Sequence, residues 1–166
     1  MLLGLCLLAG CASTPDTKSV PKDFAFEYKW IAGTMPPPYH YEFLVAMDAS
    51  GSGTITFWPN YPGRDSKPWV EKFAVTPENR ERIYRRMQET AVFGQAWRKV
   101  ENPPIGGSYD WVDVTANGKK YDLPAFPVER EKAKALYKDL VALAPQSLWD
   151  DLYARRKKFE EEYKKE

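Results

Sequence analysis

The sequence has 166 residues and a nearly even charge balance, with 24 basic and 23 acidic side chains and a net charge of +1. This length is sufficient for one domain with a substantial core, and the lack of a basic excess argues against a nucleic-acid partner. The single histidine excludes metal sites built from several histidines, and an aromatic content of 14% favours a β-rich core or an aromatic surface.

The chain begins with an apolar segment that contains no charged residue from position 1 to position 10. Such a segment is too short to span a bilayer, which takes about 20 residues, and it therefore indicates a targeting signal. The residues Leu8-Ala9-Gly10-Cys11 resemble the lipobox of bacterial lipoproteins. An ordinary secretory signal, or a buried strand that happens to end in cysteine, is the alternative interpretation.

The lipobox resemblance implies a defined series of processing events at Cys11. The thiol would be diacylated, the signal peptidase would recognise Leu8, Ala9 and Gly10, and cleavage would leave Cys11 as the new N-terminus. Two or three acyl chains give stable anchoring, so the expected partner is a membrane. Ala12 stands where Asp tends to retain a lipoprotein at the inner membrane, which favours the outer membrane. A basic stretch, which usually precedes the apolar segment, is missing here, and a start codon further upstream would supply it.

Residues 11–22 are small and polar with two prolines, and a segment of this composition buries too little apolar surface to fold. We expect a flexible tether that leads into one domain at 23–154. This domain contains no cysteine, because Cys6 lies in the signal and Cys11 is the lipidation site, so disulfides, cysteine nucleophiles and thiolate metal ligands are excluded. Residues 155–166 are mostly charged, which is typical of a solvated helical tail.

Alternating apolar residues predict strands in the first half of the domain. A strand over 24–30 is followed by a hairpin over 41–58, whose turn is rich in Asp, Gly and Ser, and by a strand over 69–75. The lone histidine, His40, lies just before the hairpin, and we expect it at the surface. A catalytic role would need a placed serine and a carboxylate, and the sequence contains no nucleophile elbow.

The second half predicts helices and a further hairpin. Thr76 is a suitable N-cap for the first helix, and Gly94 is a suitable residue to end it. Asn117-Gly118 is the preferred two-residue type I′ turn, and this turn fixes the register of the hairpin around it. The predicted elements are helices over 77–93, 129–143 and 146–164 and a hairpin over 109–125.

Together these elements predict an α+β fold, with an antiparallel sheet of about five to six strands and helices packed mainly on one face. The order of elements loosely resembles that of small domains in bacterial envelope lipoproteins, a resemblance that implies no function.

The hairpin register predicts that Asp113 and Asp122 lie opposite each other on the outer face. Like charges in this position are destabilising, so a bound cation such as Ca²⁺, or a proton shared for acid/base chemistry, would offset the repulsion. Neutralisation by Lys119 or Lys120, or a bulge that separates the two carboxylates, is the structural alternative. The pair is a weak metal candidate, and we expect neither a metal nor another cofactor.

Four aromatic residues are candidate contacts for a ligand or partner: Trp58, Tyr61, Trp69 and Trp111. Exposed aromatic rings near Arg64 and carboxylates suit stacking on sugars or contact with a protein, whereas coverage by helices or loops would make them structural. The sequence therefore favours a non-enzymatic envelope lipoprotein that serves as a binding or assembly module. A domain that binds glycan or peptidoglycan is the first alternative, and a carboxylate-dependent hydrolase is the second.

Overall fold

The computed structural model describes residues 19–63, 67–94 and 97–165. Within them the chain forms one antiparallel sheet of six strands and three helices, which confirms the α+β fold class. The elements are β1 (Ala25–Ile31), β2 (Glu42–Met47), β3 (Ser52–Trp58), β4 (Trp69–Ala74), α1 (Pro77–Glu89), β5 (Tyr109–Ala116), β6 (Lys119–Leu123), α2 (Arg130–Val141) and α3 (Gln146–Tyr163). The strand order is β4-β3-β2-β1-β5-β6, so β1 and β2 are central and β4 and β6 are the edges.

All three helices pack against the same face of the sheet, here called the inner face. Alternation along the strands sends large apolar side chains to this face, such as Phe26 and Tyr28 on β1 and Phe57 on β3. Aromatic pairs join these strands to the helices: the ring centroids of Phe24 and Tyr84 of α1 are 5.1 Å apart, and those of Tyr28 and Tyr137 of α2 are 5.2 Å apart. Helix α3 makes the equivalent contacts through Trp149 and Tyr153.

Helix α1 begins as the sequence predicts but ends earlier. Thr76 caps it, because its hydroxyl accepts a hydrogen bond from the Asn79 amide at 3.2 Å. The expected end near residue 93, with Gly94 as the closing residue, is wrong. The helix ends at Glu89, and Ala91 turns the chain with a φ of 59°. The Val92 amide reaches the Met87 carbonyl at 2.9 Å, which completes a Schellman motif with two buried apolar residues in contact with the core.

The hairpin of β5 and β6 has the predicted turn and register. Asn117 and Gly118 both have positive φ, at 53° and 70°, as a type I′ turn requires. Val114 lies opposite Tyr121 and Val112 opposite Leu123, which places these four side chains toward the core.

The chain enters the domain at the end of the sheet where β1 begins, here called the entry end. Val20 already packs against the core, before the expected domain start at 23. The Arg80 guanidinium donates to the Pro21 carbonyl at 2.9 Å, and the Asp23 carboxylate accepts from the amides of Asn117 and Gly118 at 2.9 and 2.6 Å. These contacts fix the point at which the described chain enters the sheet. In the described ranges, no helix is long and apolar enough to cross a bilayer.

Candidate functional site

The second face of the sheet, here called the outer face, faces away from all three helices. Its side chains alternate with those of the core, so they are mostly half-buried or exposed, and the Val70 side chain on edge strand β4 is 53% exposed. Strand pairing arranges these side chains in rows across the sheet. The main members of the outer face are Glu27, Lys29, Ile31, Glu42, Leu44, Ala46, Thr54, Thr56, Trp58, Val70, Lys72, Tyr109, Trp111, Asp113 and Asp122.

One row near the entry end contains three carboxylates in sequence across neighbouring strands. Asp113 lies opposite Asp122, as the sequence predicts, and it also lies opposite Glu27 of β1. A shallow concavity of about 560 Å³ lies over this row, and Lys120 and Asp48 also line it. Burial raises the pKa of Asp113, the facing Asp122 raises it further, and Lys120 lowers it in part. The row therefore carries negative charge that Lys120 does not fully offset.

Sequence reasoning missed Glu27. The period-two pattern of β1 places Glu27 on the outer face, but the sequence does not say which strand pairs with β1, and the acidic row depends on that pairing. In the described part of the chain, no group of three or more histidines, cysteines or carboxylates has the geometry of a metal site. The weak metal assignment of Asp113 and Asp122 therefore gains no ligand beyond the pair itself.

The four candidate aromatic residues do not lie together. Trp58 and Trp111 are both on the outer face, on strands β3 and β5. Trp69 is on the inner face, where its ring stacks on Phe57 at 5.6 Å and the Arg155 guanidinium lies over it at 5.4 Å. Tyr61 follows β3 and stacks on His40. The structure thus separates Trp69 from the other three, and Arg64 lies outside the described residues.

The expected surface position of His40 is wrong, because the side chain is only 2% exposed. Its Nε2 lies 3.0 Å from a carboxylate oxygen of Glu42, and the other oxygen of that carboxylate lies 2.7 Å from the Lys29 ammonium. Tyr61 covers the imidazole face at a centroid distance of 3.7 Å. The lysine also lies over the Trp58 ring at 5.2 Å. These contacts join side chains of β1, β2 and β3 at the end of the outer face opposite the entry end.

A second polar cluster lies on the inner face, between β1, β5 and α2. The Tyr28 hydroxyl donates to the Asp110 carboxylate at 2.6 Å, and its ring stacks on Tyr137. Burial raises the pKa of Asp110, and the hydrogen bond from Tyr28 lowers it in part. Burial also raises the pKa of both tyrosines. The cluster joins the sheet to α2, and Asp110 and Tyr137 also line a cavity of about 200 Å³ beside this helix.

The predicted processing residues Leu8, Ala9, Gly10 and Cys11 lie outside the described residues. Comparison of the whole chain with protein-family models and with curated proteins finds no match.

Proposed function

We propose that this chain is a lipid-anchored protein of the bacterial envelope whose domain is a non-enzymatic binding or assembly module. The outer face of the sheet is its working surface, and Cys11 is its attachment point, with the outer membrane favoured by Ala12. One observation carries the proposal. All three helices of the described chain pack on one face, which leaves the exposed Val70 and the half-buried Trp58 and Trp111 on a face that none of these helices covers. Apolar side chains on such a face are candidate contacts for a partner.

Replacement of the acylated residue tests the anchoring part of the proposal. In the Cys11→Ala variant, the chain should remain an unprocessed precursor and should incorporate no labelled fatty acid, because the thiol is the acyl acceptor. The matched control is Cys6→Ala, which removes a thiol inside the signal segment and should be processed and labelled like the natural chain. Normal processing and membrane fractionation of Cys11→Ala would remove the anchoring proposal.

Photo-crosslinking in intact envelopes tests the use of the outer face. A benzophenone amino acid at Val70 or Trp111 should give discrete crosslinked products, because both positions lie on the proposed surface. The same probe at Lys134, which is exposed on helix α2, is the control and should give few. The same crosslinked products from the outer-face probes and from the probe on α2 would contradict the proposal that the outer face is the interaction surface.

Glycan binding is the second candidate, and one observation favours it: Trp58 and Trp111 share the uncovered face. Aromatic rings stack well on sugar rings. A Trp111→Ala variant should then lose the fluorescence change on titration with peptidoglycan fragments, while a Trp69→Phe variant, changed on the inner face, should keep it. A hydrolase built on Asp113 and Asp122 receives less support, because both carboxylates are exposed on the face of the sheet.

A further inference from the structure

One row of the outer face has opposite charges at its two ends. This row, near the entry end, runs from Lys72 on edge strand β4, through Thr54 and Ala46, to the acidic residues of the other half of the sheet. Those residues are Glu27, Asp113 and Asp122, the last on edge strand β6. Lys72, Asp113 and Asp122 are all exposed. This row is therefore basic at the β4 edge and acidic at the β6 edge, where Lys120 in the adjacent row offsets part of the negative charge.

The next two rows carry the apolar side chains. One row runs from Val70 through Thr56, Leu44 and Lys29 to Trp111. The row at the far end holds Trp58 near one side and Tyr109 near the other, with Glu42 and Ile31 between them. Most large apolar side chains of the face therefore lie in these two rows, around the paired charges of Lys29 and Glu42, whose charged atoms are 2.7 Å apart.

Consider two copies that face each other across a two-fold axis that is parallel to the strands and lies between β1 and β2. In this arrangement β4 of one copy lies over β6 of the other, and β3 lies over β5. Each row of one copy then faces the same row of the other copy, at the same height along the strands. Lys72 of one copy then faces Asp122 of the other, and Trp58 faces Tyr109. Sheets that pack face to face keep their strands within about 30° of each other and about 10 Å apart, so this arrangement has the geometry of a β-sandwich.

We propose that the outer face binds the same face of a second copy of this chain, with Lys72 of each copy against Asp122 and Asp113 of the other. This inference rests on the proposed function of that face as an assembly surface, and it names the partner.

The position of the tether supports this choice of axis. The chain enters both copies at the entry end, where β1 begins, and an axis along the strands leaves both entry ends on the same side of the dimer. The described chains of both copies then start on the same side of the dimer, as anchoring of both copies in one membrane favours. An axis perpendicular to the strands would place the two starts at opposite ends of the dimer.

The size of the face is also adequate. Strands about 4.8 Å apart with a rise of about 3.3 Å per residue give six strands of about six residues a flat area of about 600 Å². Standard interfaces bury about 800 Å² on each partner, and the relief of the side chains adds to the flat value.

Charge exchange across the interface tests the proposal directly. The acylated protein is studied by sedimentation equilibrium in density-matched detergent, with thermal unfolding to show that each variant is folded. The natural chain should be a dimer, and Lys72→Glu or Asp122→Lys should each weaken the dimer by about tenfold or more, because like charges then face each other. The double variant should regain the dimer, since the exchange restores opposite charges in both symmetric contacts. A double variant as weak as the two single variants would overturn the proposed pairing.

Thiol crosslinking gives a second readout. An Ala46→Cys variant has a thiol near the axis, and a bismaleimide long enough to span the roughly 10 Å between the two sheets should link two copies; the control Lys134→Cys on α2 should not be linked. A monomeric natural chain would overturn self-association. If Val70 and Trp111 still gave photo-crosslinks to another molecule, the proposed function would survive that result, and if they gave none, both proposals would fail.

Discussion

Asp110 is a carboxylate that the fold holds in a partly buried site, where the Tyr28 hydroxyl donates a hydrogen bond to it. Burial raises its pKa, so folding disfavours the charged form. This cost is absent below the usual carboxylate pKa of about 4 and grows as the pH rises through the raised folded value. The residue therefore lowers the free energy of unfolding at neutral pH relative to acid pH.

The amide variant at this position isolates that cost. Asp110→Asn keeps an oxygen that can accept from Tyr28 but removes the charge, so its free energy of unfolding relative to the natural chain should rise between pH 3 and pH 7. Urea titrations at both pH values measure the difference. Asp110→Ala, in contrast, leaves the Tyr28 hydroxyl without this acceptor and should cost about 1–3 kcal/mol at either pH. A relative stability of Asp110→Asn that is the same at both pH values would contradict this account.

At the scale of single elements, the backbone conformation at the end of helix α1 lowers the free energy of unfolding, and a glycine at that position would remove this strain. Ala91 has a φ of 59°, and an L-residue in the left-handed region costs about 1–2 kcal/mol. Glycine takes this conformation freely but loses more entropy on folding, so Ala91→Gly should raise the free energy of unfolding by about 0.5–1 kcal/mol.

Ala142 offers a matched control for this change. It is the C-cap of α2 and has a φ of −71°, so Ala142→Gly relieves no strain and should lower the free energy of unfolding by about 0.4–1 kcal/mol. Chemical denaturation of the two variants gives both values. Equal destabilisation by the two glycine substitutions would show that the positive φ of Ala91 does not lower the free energy of unfolding.

Elements whose geometry is local could be predicted from the sequence. The Asn117-Gly118 turn fixes two φ values and, through them, the pairing of Asp113 with Asp122. The N-cap of α1 is equally local. The end of α1 was not predictable in the same way, because Gly94 matched the usual pattern while the buried contacts of Met87 and Val92 decided the actual end.

Features of the site that depend on distant strands could not be predicted. Glu27 joins the acidic row only because β1 pairs with β5, more than 80 residues away in sequence. His40 is buried because Tyr61 stacks on it, and neither residue signals that contact in its own neighbourhood. Alternation placed Trp58 and Trp111 on the outer face, whereas Trp69 required knowledge of which face α3 covers.

At the scale of the whole molecule, the two faces of the sheet differ in what they contribute to folding. Along β3, Phe57 is fully buried among Tyr41, Trp69 and Tyr153, while the adjacent Thr56 points to the outer face and is half-buried. A stable fold needs only one of these faces to be covered, because an antiparallel sheet can leave its second face to solvent or a partner.

Substitutions at two neighbouring positions of β3 should separate the contribution of the inner face to the free energy of unfolding from that of the outer face. Phe57→Ala removes a ring from the core and should lower the free energy of unfolding by about 3–5 kcal/mol. Thr56→Ala, one residue away on the other face, should change it by less than about 0.5 kcal/mol, as is usual for surface positions. Urea titrations at fixed protein concentration measure both changes, and a concentration series separates folding from association. A loss at Thr56 comparable with that at Phe57 would mean that the outer face is part of the core that folds the monomer, and it would leave no free surface for a partner.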